Sequence, residues 1–85
     1  MDIEDFAEQI KSKEDFEEFL RYLLQDLATS REQWSNVTLE QFLDGLYGIA
    51  HDMQGYYGNR GETVDLDQPT WKTLADLLLA ARVYE

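Results

Sequence analysis

The chain lacks cysteine and has only one histidine, His51, and one proline, Pro69, among its 85 residues. The absence of cysteine excludes disulfide bonds and thiolate metal ligands, and it is compatible with a reducing compartment. Asp44 is the acid that shares the predicted helix face of His51, but seven residues, or roughly 10 Å of helix, separate them. We therefore expect no zinc or iron site and no cofactor.

Basic residues are scarce, with 7 Lys and Arg against 18 Asp and Glu, which gives a formal net charge of -11. Such a surplus of negative charge repels a phosphate backbone, and the few basic residues are scattered along the chain. We therefore expect no nucleic-acid partner. A basic protein is the partner that this charge favours.

Long apolar runs are missing as well, since a membrane span needs about 20 consecutive apolar residues. The first ten residues are acidic, whereas a secretory signal begins with basic residues. We therefore expect no membrane association and a cytoplasmic location.

The composition that remains is typical of a folded domain, because 44% of the residues are apolar and 13% are aromatic. A chain of this length forms one domain, and a small domain leaves roughly a third or more of its unfolded surface exposed. The sequence predicts a single helical domain over residues 1–85 without a deep catalytic cleft.

Apolar residues recur three and four positions apart almost throughout, which predicts helices. Capping pairs at Ser12 with Asp15 and at Thr38 with Gln41 predict helix starts, and Pro69 with Thr70 opens the last helix. The predicted helices cover 13–28, 38 to a stop at Gly55, and 71–83, with the last most buried. The fold class is all-α, a compact antiparallel bundle of three main helices plus a short N-terminal helix or turn.

The predicted core faces are apolar stripes on these helices. Gly45 and Gly48 fall beside the stripe of the second helix, which favours a locally soft helix over close approach by another group. The stripe of the first helix contains Phe16, Phe19, Leu20, Leu23, Leu24 and Leu27, and that of the second contains Leu39, Phe42, Leu43, Leu46, Ile49, Ala50 and Met53.

Patterns that carry chemistry are weak in this sequence. The serines Ser12, Ser30 and Ser35 stand at predicted caps and turns, and His51, the only possible base, is predicted to face outward. We expect no enzymatic activity and no catalytic residue. Acids in the region after the second helix leave weak calcium binding as an alternative, although their order does not match an EF-hand.

The region 54–68 is predicted as a long loop and is the best candidate site. Tyr56 and Tyr57 are adjacent in it, and tyrosine is common at binding hot spots because it brings a large rigid ring with a polar tip. Two alternatives stay open. Both rings cover the end of the bundle as a lid, or at least one faces solvent and contacts a partner.

The residues Asp52, Met53, Gln54, Gly55, Tyr56 and Tyr57 form one half of a familiar pattern. The other half is the C-terminal set Trp71, Leu74, Ala75, Leu78, Ala80, Ala81, Tyr84 and Glu85. Together they resemble a family of small acidic bacterial proteins of unassigned function, over residues 12–85. The resemblance implies a shared helical fold and brings no known activity.

A looser resemblance, at the level of architecture, is to the colicin and pyocin nuclease immunity proteins. These are small acidic helical bundles that bind and block a basic nuclease, and tyrosines after their second long helix are central contacts. Tyr56 and Tyr57 match those tyrosines by position. Residues 58–61 replace the short helix that follows in that family, and the sequence beyond them does not align.

We therefore expect a non-catalytic protein that binds a basic protein partner, with an immunity- or antitoxin-type inhibitor as one form. The expected partner-binding residues are Tyr56, Tyr57, Asp52, Arg60, Glu62, Asp65 and Asp67. A homodimeric structural module and a weak calcium-binding domain are the alternatives.

Overall fold

The computed structural model describes residues 2–84, and helices account for most of them. The helices are α1 (Ile3–Ala7), α2 (Lys13–Thr29), α3 (Leu39–Asn59) and α4 (Trp71–Ala81), with one 3-10 turn, Arg31–Gln33, between α2 and α3. The described residues contain no strand. The predicted all-α bundle of three main helices with a short N-terminal helix is confirmed. Met1 and Glu85, which belong to the acidic start and the C-terminal pattern, lie outside the described residues.

Side-chain caps begin the long helices where the sequence predicts them. Ser12 accepts a hydrogen bond from the Asp15 backbone N–H at 3.1 Å, and Thr38 does the same for Gln41 at 3.1 Å. The Gln41 side chain accepts the Thr38 N–H in return, which completes a capping box. Each cap satisfies a backbone donor that the first helical turn leaves without a partner.

Helix α4 is the central element, because α1, α2 and α3 all pack against it. In contrast, no Cα of α2 lies within 8 Å of a Cα of α3. The core cluster lies where α1, α2 and α4 meet, and its buried members are Ala7, Ile10, Phe19, Leu23, Trp34 and Ala75. Within residues 2–84, no helix combines the length and apolar character needed to cross a membrane.

The predicted end of α3 at Gly55 is wrong, since the helix continues to Asn59. A Cβ added to Gly55 or Gly58 would meet nothing within 4 Å, so both glycines are exposed helical positions that nothing forces to end the helix. Tyr57 stands four residues after the buried Met53 on the same face. Burial of its ring stabilises the additional helical turn. The left-handed residue is Gly61, with φ of 72°, and the loop runs over residues 60–70.

Gly45 is buried, so the prediction that it makes the helix locally soft is wrong. A Cβ there would lie 2.8 Å from the backbone oxygen of Ala81 and 3.0 Å from that of Tyr84. Gly48 lies against the Tyr84 ring in the same way, with 3.1 Å to the nearest ring atoms. The glycines therefore let the C-terminal end of α4 approach α3 closely. This is the close approach by another group that the sequence analysis gave as the less favoured alternative.

Several predicted core leucines are exposed. Leu24 of α2 is 70% exposed, and Leu39 and Leu43 of α3 are 75% and 52% exposed. Their stripes are wider than the faces that α4 covers, because α2 and α3 each touch α4 on one side only. In α4 itself, Thr73 and Asp76 are buried while Trp71 and Leu74 are partly exposed, so its packed face is more polar than predicted.

Candidate functional site

The hydroxyl of Tyr57 anchors a polar network beneath the loop. It donates a hydrogen bond of 2.6 Å to Asp76, whose carboxylate also accepts one of 3.0 Å from Lys72. Burial and the hydrogen bond to Asp76 raise the pKa of Tyr57 above its usual value. Burial lowers the pKa of Lys72, but the Asp76 hydrogen bond and the charges of Asp76 and Glu8 outweigh it, so the net shift is upward.

Tyr56 and Arg60 form the outer part of the same region. Arg60 donates to the Tyr56 hydroxyl at 2.9 Å and to Glu8 at 3.2 Å, and its Nε lies 3.1 Å from Glu62. The hydrogen bond to Glu8 raises the pKa of Arg60, whose guanidinium is charged at every pH at which the protein folds. These contacts tie the end of α3 to α1 and to the start of the loop.

The expected partner-binding residues therefore divide into those whose side chains are bonded within the chain and those that remain exposed. Tyr57 is 3% exposed and bonded within the chain, and Tyr56 is the half-exposed member of the pair, its ring packed edge-on against Tyr57 at 5.3 Å. Asp52 accepts a hydrogen bond from the Tyr84 hydroxyl. Asp65 and Asp67 remain exposed in the loop.

Tyr57 covers the end of the bundle, and its ring is not accessible to a partner. The lid interpretation expects this of both rings, whereas Tyr56 is only partly buried. The helical spacing from Met53 to Tyr57 was the signal that places it on the core face. Because Gly55 indicated a helix end, the sequence analysis did not extend the helical spacing to Tyr57.

A second polar cluster fixes the other end of α4. Arg82 is 9% exposed and donates to Asp26 at 3.0 Å. The same carboxylate oxygen accepts the Trp34 indole N–H at 2.8 Å. Asp26 thereby joins α2, the turn that follows it and the end of α4, and it sets the position of Trp34 at the edge of the core.

An apolar groove lies beside Trp34, and sequence reasoning missed it. Its cavity of about 420 Å³ is open to solvent on one side and has predominantly apolar walls. The α2 wall carries Leu20, Leu24 and Leu27. The remaining lining residues are Leu23, Trp34, Asn36, Val37, Thr38, Leu39 and Phe42. The wall opposite α2 is formed by the segment that follows the 3-10 turn and by the first turn of α3.

A separate depression lies on another face of α3. It shares Thr38 with the groove and is lined by Glu40, Gln41, Leu43, Asp44 and Tyr47. Neither Glu40 nor Asp44 makes an ion pair or a side-chain hydrogen bond within residues 2–84. On the α2 side, Arg21 stands one turn before Leu24 and is exposed.

No metal site is assembled in the part of the chain that the structure describes. No group of three or more His, Asp or Glu side chains there could hold an ion. The loop acids Glu62, Asp65 and Asp67 therefore do not converge. The groove is instead an arrangement of predominantly apolar side chains, which is suited to contact with another molecule.

Comparison with known proteins identifies the family of this chain. Residues 12–85 match the family model described as a family of unknown function (DUF7660), so the chain belongs to that family. Searches of the curated proteins and of the solved structures returned no match.

Proposed function

We propose that this protein is a non-catalytic interaction domain that binds a basic protein partner, and that the groove between α2 and the start of α3 is the contact surface. The observation that carries the proposal is the exposure of several leucines around one open cavity. Exposed apolar surface of this kind, bordered by polar residues, is typical of a protein interaction site.

The charge supports a basic partner. A net charge of -11 attracts a positively charged protein over distance and raises its association rate at low ionic strength. Leucines that lose water on contact then supply the short-range free energy. The charge thus sets the association rate of the partner, and the groove sets its dissociation rate.

The groove replaces the tyrosine region as the proposed contact. Tyr57 is buried and Arg60 is held by Glu8 and Glu62, so these side chains already serve the fold. Tyr56 and the loop acids Asp65 and Asp67 are the competing location. An experiment that alters each surface separately distinguishes the two.

The resemblance to nuclease immunity proteins favours one form of this function, an inhibitor of the immunity or antitoxin type in the bacterial cytoplasm. An acidic domain of that type covers a basic surface of a toxic enzyme. A homodimer is the second candidate, and the same exposed leucines favour it.

The test is an affinity pull-down from cells of the source organism with matched baits. The first bait is the wild-type protein, and the second carries Leu24→Gln with Leu39→Gln, which keeps the net charge and removes apolar surface from the groove. Tyr56→Ala alters the competing location. Val83→Gln alters an exposed apolar residue that lies outside the groove.

We expect one basic protein that wild type, Tyr56→Ala and Val83→Gln capture and that the double groove variant loses. With the purified pair, the association rate falls as salt is added. A partner that only the Tyr56→Ala bait fails to capture places the contact at the end of α3 instead of the groove. Sedimentation that shows a wild-type dimer and a monomeric groove variant establishes the homodimer instead.

A further inference from the structure

An uncharged stripe runs along the exposed side of α3, which contains no Lys or Arg. Six exposed residues of the helix lie within about 100° of arc, outside the packed face that holds Gly45, Ile49 and Met53. Charged residues make up 29% of the chain, yet none occurs in this set. The members of this α3 stripe are Leu39, Leu43, Tyr47, Ala50, Gln54 and Gly58.

The two halves of the α3 stripe differ in side-chain size. The N-terminal half consists of two leucines and a tyrosine four positions apart, and these are 75%, 52% and 73% exposed. The tyrosine ring of Tyr47 stacks on His51 with 6.4 Å between ring centroids, which holds it along the helix. The C-terminal half has the same spacing but carries an alanine, a glutamine and a glycine. Large uncovered side chains thus lie in one half and smaller ones in the other.

Nothing in the described residues requires a glycine at position 58. Its φ lies outside the left-handed region, and an added Cβ would meet nothing within 4 Å. A glycine inside a helix costs about 1 kcal/mol relative to alanine. Close packing of a group from another molecule against the bare backbone would offset that cost.

We propose that two copies of this chain pair through α3 in antiparallel orientation. A two-fold axis brings the same surface of both copies together, so that surface must fit itself. With the axis at the middle of the stripe, each large residue of one copy lies opposite a smaller residue of the other, equally far from the axis. The pairs are Tyr47 with Ala50, Leu43 with Gln54 and Leu39 with Gly58.

The division of the stripe into a large and a small half selects this occupant and this orientation. In a parallel pair, Tyr47 would meet Tyr47 of the second copy and Gly58 would meet Gly58. The large residues would then crowd one end of the interface, and the other end would enclose a void, which loses packing energy. Antiparallel pairing fills both ends alike.

The charge of -11 on each copy does not prevent this contact. The acids beside the stripe, Glu40 and Asp44, both lie along one edge of its N-terminal half. Antiparallel pairing separates Asp44 from Asp44 of the second copy by roughly 14 Å of helix. It brings Asp44 close to His51 of the second copy instead. The remaining repulsion acts over distance and is screened by salt.

The dimer goes beyond the proposed function and is compatible with it. The α3 stripe shares Leu39 with the groove, whereas the α2 wall of the groove belongs to another helix and stays uncovered. One molecule can therefore hold a second copy on α3 and a basic partner in the groove.

The first experiment is sedimentation equilibrium of the purified protein across the micromolar range. It compares wild type with a stripe variant, Leu43→Gln with Tyr47→Gln, and with Leu24→Gln. Leu43 and Tyr47 do not line the groove, and Leu24 lines it from α2. All variants keep the net charge, and circular dichroism confirms that each is folded.

We expect wild type and Leu24→Gln to form dimers with equal dissociation constants, and the stripe variant to dissociate at least tenfold more readily. Added salt should strengthen the dimer, because it screens two like charges. Binding of a basic partner responds to salt in the opposite direction. A wild-type protein that stays monomeric over this range overturns the proposal, as does a dimer that Leu24→Gln disrupts and the stripe variant does not.

The second experiment determines the orientation by cross-linking. Since the chain has no cysteine, a single introduced cysteine forms a disulfide only with another molecule. Leu43→Cys is mixed with Gln54→Cys in a glutathione buffer, and a linked heterodimer is expected because these positions face each other. Each variant alone should link far more slowly, since its two cysteines stand about 16 Å apart along the helices. Equally fast linking of Leu43→Cys with itself overturns the antiparallel pairing.

The stripe variant also serves as a bait in the pull-down, which separates the dimer from the proposed function. A basic protein that monomeric wild type and the stripe variant both capture leaves the proposed function intact and overturns the dimer alone. A basic protein that only the stripe variant fails to capture places that partner on α3 and overturns the dimer as the occupant of the stripe.

Discussion

The Tyr57 hydroxyl donates a 2.6 Å hydrogen bond to the carboxylate of Asp76, and both side chains are almost completely buried. This bond joins the last turns of α3 to the middle of α4 across 19 residues of sequence. A carboxylate is costly to bury unless it is paired and hydrogen-bonded. Tyr57 and Lys72 together meet that requirement for Asp76.

Tyr57→Phe should lower the free energy of unfolding by about 1–3 kcal/mol at pH 7, because Asp76 keeps Lys72 but loses a buried donor. The ring and its packing remain. Tyr56→Phe is the matched control, since it removes an exposed hydroxyl, and it should cost about 0.5 kcal/mol or less. Urea unfolding followed by circular dichroism measures both, and equal effects would contradict the assignment of Tyr57 to the core.

Alkaline pH should destabilise the protein through the same residue. The pKa of Tyr57 is raised in the folded state, so above about pH 10 the unfolded chain releases a proton that the folded chain retains. The stabilisation is present in full below pH 10 and decreases as the pH rises further, by at most about 1.4 kcal/mol per pH unit. Tyr57→Phe lacks this contribution. Its stability should fall less steeply between pH 10 and 11.5 than that of wild type, and parallel curves would refute the shifted pKa.

Gly45→Ala should destabilise the fold although alanine favours helices. The new Cβ would lie 2.8 Å from a backbone oxygen at the end of α4, and the overpacked contact should cost about 1–3 kcal/mol. Gly55→Ala is the control in the same helix, where a Cβ meets open space. It should stabilise by up to about 1 kcal/mol. Thermal unfolding of both variants checks that the two shifts in Tm have opposite signs.

Leu23 and Leu24 are neighbours in α2 with different environments. Leu23 is 8% exposed and Leu24 is 70% exposed, so truncation leaves a cavity at the first position and none at the second. Leu23→Ala should cost about 2–5 kcal/mol. Leu24→Ala should stay within about 0.5 kcal/mol of wild type. Denaturant midpoints compare them, and a large loss from Leu24→Ala would mean that this groove wall supports the fold.

The local structure could be predicted from the sequence because its causes are local. Ser12 and Thr38 begin helices through bonds to backbone groups three residues away, so the residues that cap a helix stand next to it in the chain. The apolar spacing fixed the fold class for the same reason. The N-terminal helix and the loop before Pro69 also follow from such signals, although the loop is shorter than predicted.

The candidate site could not be predicted because its causes are distant in sequence. Whether Tyr57 is buried depends on Asp76, and whether Gly45 is required depends on the backbone at Ala81 and Tyr84. The stripe that contains Leu24 is apolar whether or not another helix covers it. Amino-acid pattern alone thus determined that this chain forms an acidic helical bundle. Only the tertiary structure decided that α4 packs between α2 and α3 and leaves their leucines exposed, because packing is a relation between helices that no single helix encodes.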